Sequence, residues 1–200
     1  MKSMWKPDRR VILVVCVASL WAAGAWAQST GGAPAPAAKL ERPPQMQVAT
    51  RELSNGLKLV MVEDHRTPIV SLEVWYHVGS KDERPGRTGF AHLFEHLMFK
   101  GSAHVEPEQH MRIIEAMGGI NNAYTTEDVT VFFETVPSNY LARTMWLEAD
   151  RMGGLNIIQE TFDSEREVVK EERRVRYDNQ PYGRVWEDLS AAAFTEHPYH

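Results

Sequence analysis

Two runs of β-branched and aromatic residues, Ile69-Val-Ser-Leu-Glu-Val-Trp-Tyr-His-Val78 and Val129-Thr-Val-Phe-Phe-Glu-Thr-Val136, bracket a stretch with a different period. Side chains of that kind pack well on a pleated surface. Between them, segment 90–100 carries its apolar residues at helical spacing with no breaker until Gly101. This change of period predicts strands grouped with helices, an α+β domain with an antiparallel-rich sheet.

The flanking segments extend that reading. Asn55-Gly56 lies between the runs 48–53 and 57–62 and supplies the positive φ that a two-residue hairpin turn requires. The fold therefore opens on a β-hairpin, and 69–78 is expected as a third, central strand. Pro107 suits the first turn of a second short helix, which runs over 110–117 and stops at Gly118-Gly119. Pro137 interrupts the strand 129–136, and Ser138 or Asn139 is placed to cap a helix to Met152, with Leu141, Met145 and Ala149 among its apolar positions. Ser164-Glu-Arg-Glu167 has the form of a capping box and opens a charged helix to about Tyr177.

The chain has 200 residues and a formal net charge of −5, the wrong sign for a nucleic-acid footprint. Its one cysteine, Cys16, has no intramolecular partner and builds no thiolate zinc site. A metal here must be held by His, Asp or Glu, and there are eight histidines.

Lys2, Lys6, Arg9 and Arg10 precede an uncharged, mostly apolar run over 11–27 that closes on Ala25-Trp26-Ala27, an A-x-A cleavage pattern. We read it as a secretory signal peptide cut after Ala27, which makes the protein exported and periplasmic, with no stable membrane span after cleavage. An uncleaved anchor is the other reading, since the run sits at the short limit for spanning a bilayer. Residues 28–46 are a Pro/Ala-rich linker without periodic apolar residues. The folded domain is expected over 47–200.

Within the helical segment, His92-Leu-Phe-Glu95-His96 places two imidazoles one turn apart on one face, with a carboxylate beside the second. Two neutral imidazoles can hold zinc, and Glu95 can take a proton from water without coordinating the metal. The order is the H-x-x-E-H of the inverzincins. The plain alternative is a pair of solvated helix histidines with no third ligand. Against it, Glu165 and Glu172 stand two turns apart on the last charged helix, with Val168 and Val169 between them to seat that face on the core. Elsewhere, Phe94, Leu97 and Phe99 read as core, and His65, His77, His104 and His110 as surface or hydrogen-bonded.

His92 to His96 followed by Glu172 resembles the zinc peptidases of the pitrilysin and insulinase family. So do Leu53-Ser-Asn-Gly-Leu57, His77-Val-Gly-Ser80, segment 89–101, Gly118-Gly119-Ile-Asn-Asn122-Ala123-Tyr-Thr125, Asp128-Val-Thr130 and Ala149-Asp-Arg151. The resemblance implies that His92, His96 and Glu172 bind Zn2+, that Glu95 is the general base, and that Glu165 assists the site without being a main ligand. It implies that Asn122 and Ala123, with the strand that follows, bind a peptide substrate as an added β-strand.

It implies, finally, one half of a clamshell-type metalloendopeptidase acting on unfolded peptides. The second homologous half belongs to the same chain or to a partner subunit, and residues 47–200 hold most of one domain. The competing reading is a non-catalytic peptide-binding or scaffold subunit. Members of that kind usually lack a motif residue, and all five positions are present here.

Overall fold

In a computed structural model, which describes residues 46–200, strand β1 (Val48–Glu52) pairs antiparallel with β2 (Lys58–Val62). The expected signal peptide and nearly all of the linker lie outside the described residues. The hairpin forms as the Asn-Gly pair demands, with one difference. Leu53 N–H donates to the Leu57 carbonyl at 2.9 Å and only Gly56 takes a positive φ, +85°. Ser54, Asn55 and Gly56 thus form a longer loop than the two-residue turn expected.

A second sheet contains β3 (Ile69–Tyr76), β4 (Ile120–Thr125) and β5 (Thr130–Pro137), paired antiparallel in the order β3-β5-β4. The strand expected to be central is therefore an edge strand of this sheet, and it ends at Tyr76. The reason lies in chain connectivity. β4 and β5 close a tight hairpin, Thr126 N–H donating to the Val129 carbonyl at 2.8 Å, so β3 takes the free side of β5. Burial follows position: β5 is buried at Thr130, Val131, Phe132, Glu134 and Val136, whereas β3 alternates exposed and half-buried.

Helices α1 (Phe90–Leu97), α2 (Gln109–Ala116) and α3 (Leu141–Gly153) cover the face of the sheet that bears the even-numbered residues of β5. Val136 packs there with Val105, Ile114, Met117 and Leu147 in the buried cluster. Each such side chain contributes about 1.5–3 kcal/mol by leaving water. The buried face of α3 consists of Thr144, Leu147, Glu148 and Arg151, while the expected apolar positions Leu141, Met145 and Ala149 are exposed.

The last charged segment is helical earlier than expected. α4 (Gln159–Arg173) starts after Ile158, so Ser164 lies exposed inside the helix and caps nothing. No breaker separates Gln159 from Ser164, and half-buried Phe162 anchors the first turns. Beyond Arg173 the chain continues as a π-helical turn, Arg174–Asp178, and then forms α5 (Val185–Ala193), which the sequence reading did not include. No helix among the described residues is long and apolar enough to cross a membrane.

Candidate metal centre

The start of α1 is set by the loop before it. Gly89 stands at φ +89°, a left-handed conformation that favours glycine. The Glu83 carboxylate accepts from the N–H of Gly89 at 2.8 Å and from that of Ala91 at 2.7 Å. Two otherwise orphaned helix N–H groups are satisfied, and a negative charge sits at the positive end of the helix. The loop is seated on the β4–β5 turn: Ser80 and Lys81 N–H donate to the carbonyls of Thr126 and Glu127, both at 3.0 Å. Gly79 permits this approach, since a Cβ there would lie 2.5 Å from the Glu127 carbonyl oxygen.

With Ala91, Leu93 and Leu97 buried beneath, α1 presents His92 and His96 to α4. Three donor atoms converge. His92 Nε2 and His96 Nε2 are 3.3 Å apart, and Glu172 Oε2 lies 3.6 Å from the first and 3.9 Å from the second. A tetrahedral zinc with bonds of about 2.0–2.1 Å separates its ligand atoms by about 3.3–3.4 Å. The triad is thus close to the edge lengths that such an ion requires, and all three side chains are half-buried, leaving an approach from solvent.

Glu165 stands behind His96. Its Oε2 is 3.3 Å from His96 Nδ1, and its Oε1 is 3.1 Å from Lys100 Nζ. An Nδ1–H that donates to this carboxylate leaves the lone pair of His96 on Nε2, the atom aimed at the other two ligands. The structure therefore groups Glu165 with the orientation of His96 and not with the converging triad. Burial, followed by the neighbouring His96, holds the pKa of His92 below the ordinary histidine value, which favours the neutral imidazole a metal needs.

Glu95 is half-buried, and its Oε2 accepts a hydrogen bond from Thr125 Oγ1 at 2.5 Å. Asn122 and Ala123 lie inside β4, an edge of the sheet that packs on α1. Asn122 is exposed, and its side-chain oxygen accepts from the Ala123 N–H at 2.9 Å. A cavity of about 490 Å³ opens on another side of α1, with Glu95, Phe90, Phe94, Met98 and Phe132 in its wall. Phe94 is exposed at this cavity instead of packed in the core, while Leu97 is buried as expected.

A second group of ligand-type residues was not legible in the sequence. His110, Glu134 and Glu148, from α2, β5 and α3, are all buried, with His110 Nε2 3.2 Å from Glu134 and 3.6 Å from Glu148. The positive charge among them is already supplied. Arg151 donates to both oxygens of Glu148, at 2.9 and 2.5 Å, and to Glu134 at 3.3 Å, and its guanidinium lies 4.2 Å from the Phe132 ring centre and 5.3 Å from that of Phe99. This group is a buried network around Arg151, in contrast to the half-open triad on α1.

Three convergent donors on neighbouring helices of an α+β domain, with an uncoordinated carboxylate beside them, make up the arrangement of hydrolytic metal centres. Comparison with known proteins agrees. Residues 58–200 match the model of the insulinase family, peptidase family M16. The chain is 38% identical over 149 residues to the zinc protease PqqE of Helicobacter pylori, a match covering 74% of this chain and 34% of the relative. It is 31% identical over 153 residues to the mitochondrial-processing peptidase subunit beta of Blastocladiella emersonii, covering 76% of this chain and 32% of the relative.

Among solved structures, a protease from Helicobacter pylori superposes with a TM-score of 0.75 at 36% identity, over 78% of this chain and 38% of that one. Pitrilysin shares the fold, with a TM-score of 0.67 at 24% identity, over 78% of this chain and 17% of its own. The chain belongs to peptidase family M16, the insulinase family, and it spans about a third of the length of the curated relatives it matches. The fold is that of a domain of the clamshell peptidases, antiparallel sheet and packed helices together.

Proposed function

We propose that this chain supplies the metal-binding part of an exported zinc endopeptidase that hydrolyses unfolded peptides. The observation that carries the reading is the convergence of His92 Nε2, His96 Nε2 and Glu172 Oε2 at 3.3, 3.6 and 3.9 Å, with Glu95 free of the triad on the same helix. These three residues would hold the metal, and Glu165 would keep His96 in the productive tautomer. When bound, zinc supplies Lewis acidity toward water and a peptide carbonyl. Glu95 takes a proton from the attacking water and later passes it to the leaving amine.

An extended peptide adds to the free edge of β4 at Asn122 and Ala123, where backbone pairing holds it with little sequence preference. The name of one relative, a subunit of a processing peptidase, supports a second homologous part that completes the site. The basic residues and A-x-A ending of the first 27 residues support export, with the domain following the linker.

The test is metal content and cleavage of a quenched, unstructured peptide by the full-length exported protein and its Glu95→Gln variant. Both should carry one zinc, and the variant should lose cleavage by at least roughly a hundredfold, since it keeps the ligands and removes the base. Absence of zinc would undo the ligand assignment. Zinc without cleavage in the parent would make the protein a peptide-binding partner instead.

A further inference from the structure

We propose that Thr125 is a positioning residue for Glu95: it occupies one carboxylate oxygen and leaves the other as the proton-carrying atom. This rests on the peptidase reading above. Thr125 closes β4 and faces Thr130, its partner in the β4–β5 register. Its Oγ1 donates to Glu95 Oε2 at 2.5 Å and lies 3.4 Å from Thr130 Oγ1. Buried Thr130 donates in turn to the Val78 carbonyl at 2.9 Å.

Each hydroxyl carries a single proton, and counting them gives the chain a direction. The proton of Thr130 is engaged by Val78, so Thr130 offers Thr125 only lone pairs. The proton of Thr125 goes to Glu95, where the contact is short. If Oε2 of Glu95 were protonated and donated back, the proton of Thr125 would have to reach Thr130 across 3.4 Å. That lies outside the roughly 2.5–3.0 Å range of O–H···O bonds. Accepting this short hydrogen bond also makes Oε2 the less basic of the two oxygens, so proton uptake is directed to Oε1. The O–H bond of water breaks as its oxygen bonds to the peptide carbonyl carbon, the proton bonds to Oε1, and the same proton passes to the amine nitrogen as the C–N bond breaks.

The threonine itself is held by its surroundings. The turn after it is fixed by the Thr126–Val129 bond, by the loop at Gly79 and by Asp128, which accepts from Lys81 Nζ at 2.5 Å and from Tyr199 Oη at 2.6 Å. A carboxylate on a single helical side chain gains from this a fixed rotation about its last bond, which is a condition for rapid proton transfer.

The experiment compares Thr125→Val, Thr125→Ser and Thr125→Ala in the full-length protein, alone and with Glu95→Gln. The valine change keeps the β-branched shape and deletes the hydroxyl; alanine replaces it if valine does not fold. We expect kcat to fall by roughly ten- to a hundredfold with KM within about twofold and zinc content unchanged, and serine to recover most of the loss. In the Glu95→Gln background, removal of the hydroxyl should cost nothing further. In zinc-free protein, the infrared band isolated by subtracting Glu95→Gln from its parent should move in the valine variant and stay in the serine variant.

An unchanged kcat in Thr125→Val, serine as impaired as valine, an equal loss without Glu95, or an unmoved carboxylate band would each overturn the assignment while the parent still cleaves. A parent that cleaves nothing would overturn the peptidase reading, and the role of Thr125 with it.

Discussion

Glu148 and His110 meet 3.6 Å apart in the core, each with its ordinary charge suppressed. Burial, then the hydrogen bond with Glu134, raises the Glu148 carboxyl to about 8, and burial, then the charge of Arg151, lowers His110 to about 4. The Glu148 carboxyl thus keeps its proton at neutral pH. An unfolded Glu148 ionises near the ordinary value of 4.5, so between there and about 8 the folded state keeps a proton the unfolded state has lost. Stability from this group falls as pH rises through that window.

His110 acts in the opposite sense. Its unfolded form takes up a proton as pH falls through 6.5, and its folded form resists until about 4. Above pH 6.5 only the carboxyl slope remains, about 1.4 kcal/mol per pH unit at most. The urea midpoint should accordingly decline between pH 6.5 and 8 in the parent and not in Glu148→Gln; a parallel decline in both would contradict the assignment. None of this was legible in the sequence, because the four residues lie on three elements with no common spacing. His92, Glu95 and His96 were legible because one helical turn brings them together. Glu172 followed from the family pattern, and Thr125 did not emerge because a hairpin carries it to Glu95 across 30 positions.

At the scale of elements, α1 depends on Glu83, whose two oxygens hold the first turn. Glu83→Ala should cost about 1–2 kcal/mol in thermal or urea unfolding. Fraying of the turn that carries His92 should also weaken zinc binding several-fold in a competition titration with a chromophoric chelator. Equal zinc affinity in parent and variant would mean that α1 is held by its packing alone. The existence and type of the long elements were evident from period and punctuation, as in the hairpin at Gly56 and the helix ending before Gly101, although β5 runs through Pro137, which was expected to interrupt it.

Placement was less evident. β3 has the composition of an interior strand, but β5, tied to β4 by a tight hairpin, takes the middle of the sheet. On α3 the apolar positions misled because the helix buries Glu148 and Arg151, which hydrogen-bond to each other, and leaves Met145 and Trp146 exposed at 51% and 47%. Capping at Ser164 failed for the opposite reason: a good local motif is overridden when the turn before it is already helical.

For the molecule as a whole, the chain spans about a third of the length of the relatives it matches, so the proposed second homologous part is testable by assembly. On the proposed reading, residues 46–200 alone should bind zinc but turn over peptide at least roughly a hundredfold more slowly than the same residues supplied with a second homologous half, since substrate would be gripped from one side only. Equal turnover would show that this domain suffices.

The Arg151 network bears on how such a sequence can change over time. Loss of Arg151 removes the buried cation that bonds Glu134 and Glu148 and should cost about 3–5 kcal/mol, while joint replacement of the group by well-packed apolar side chains of similar volume is often neutral. His110, Glu134, Glu148 and Arg151 are therefore epistatic: substitutions tolerated together are not tolerated one at a time. Because Phe99, just past the histidine helix, stacks beside the same guanidinium, drift in this distant-looking group is coupled to the helix that carries the histidines of the candidate metal centre.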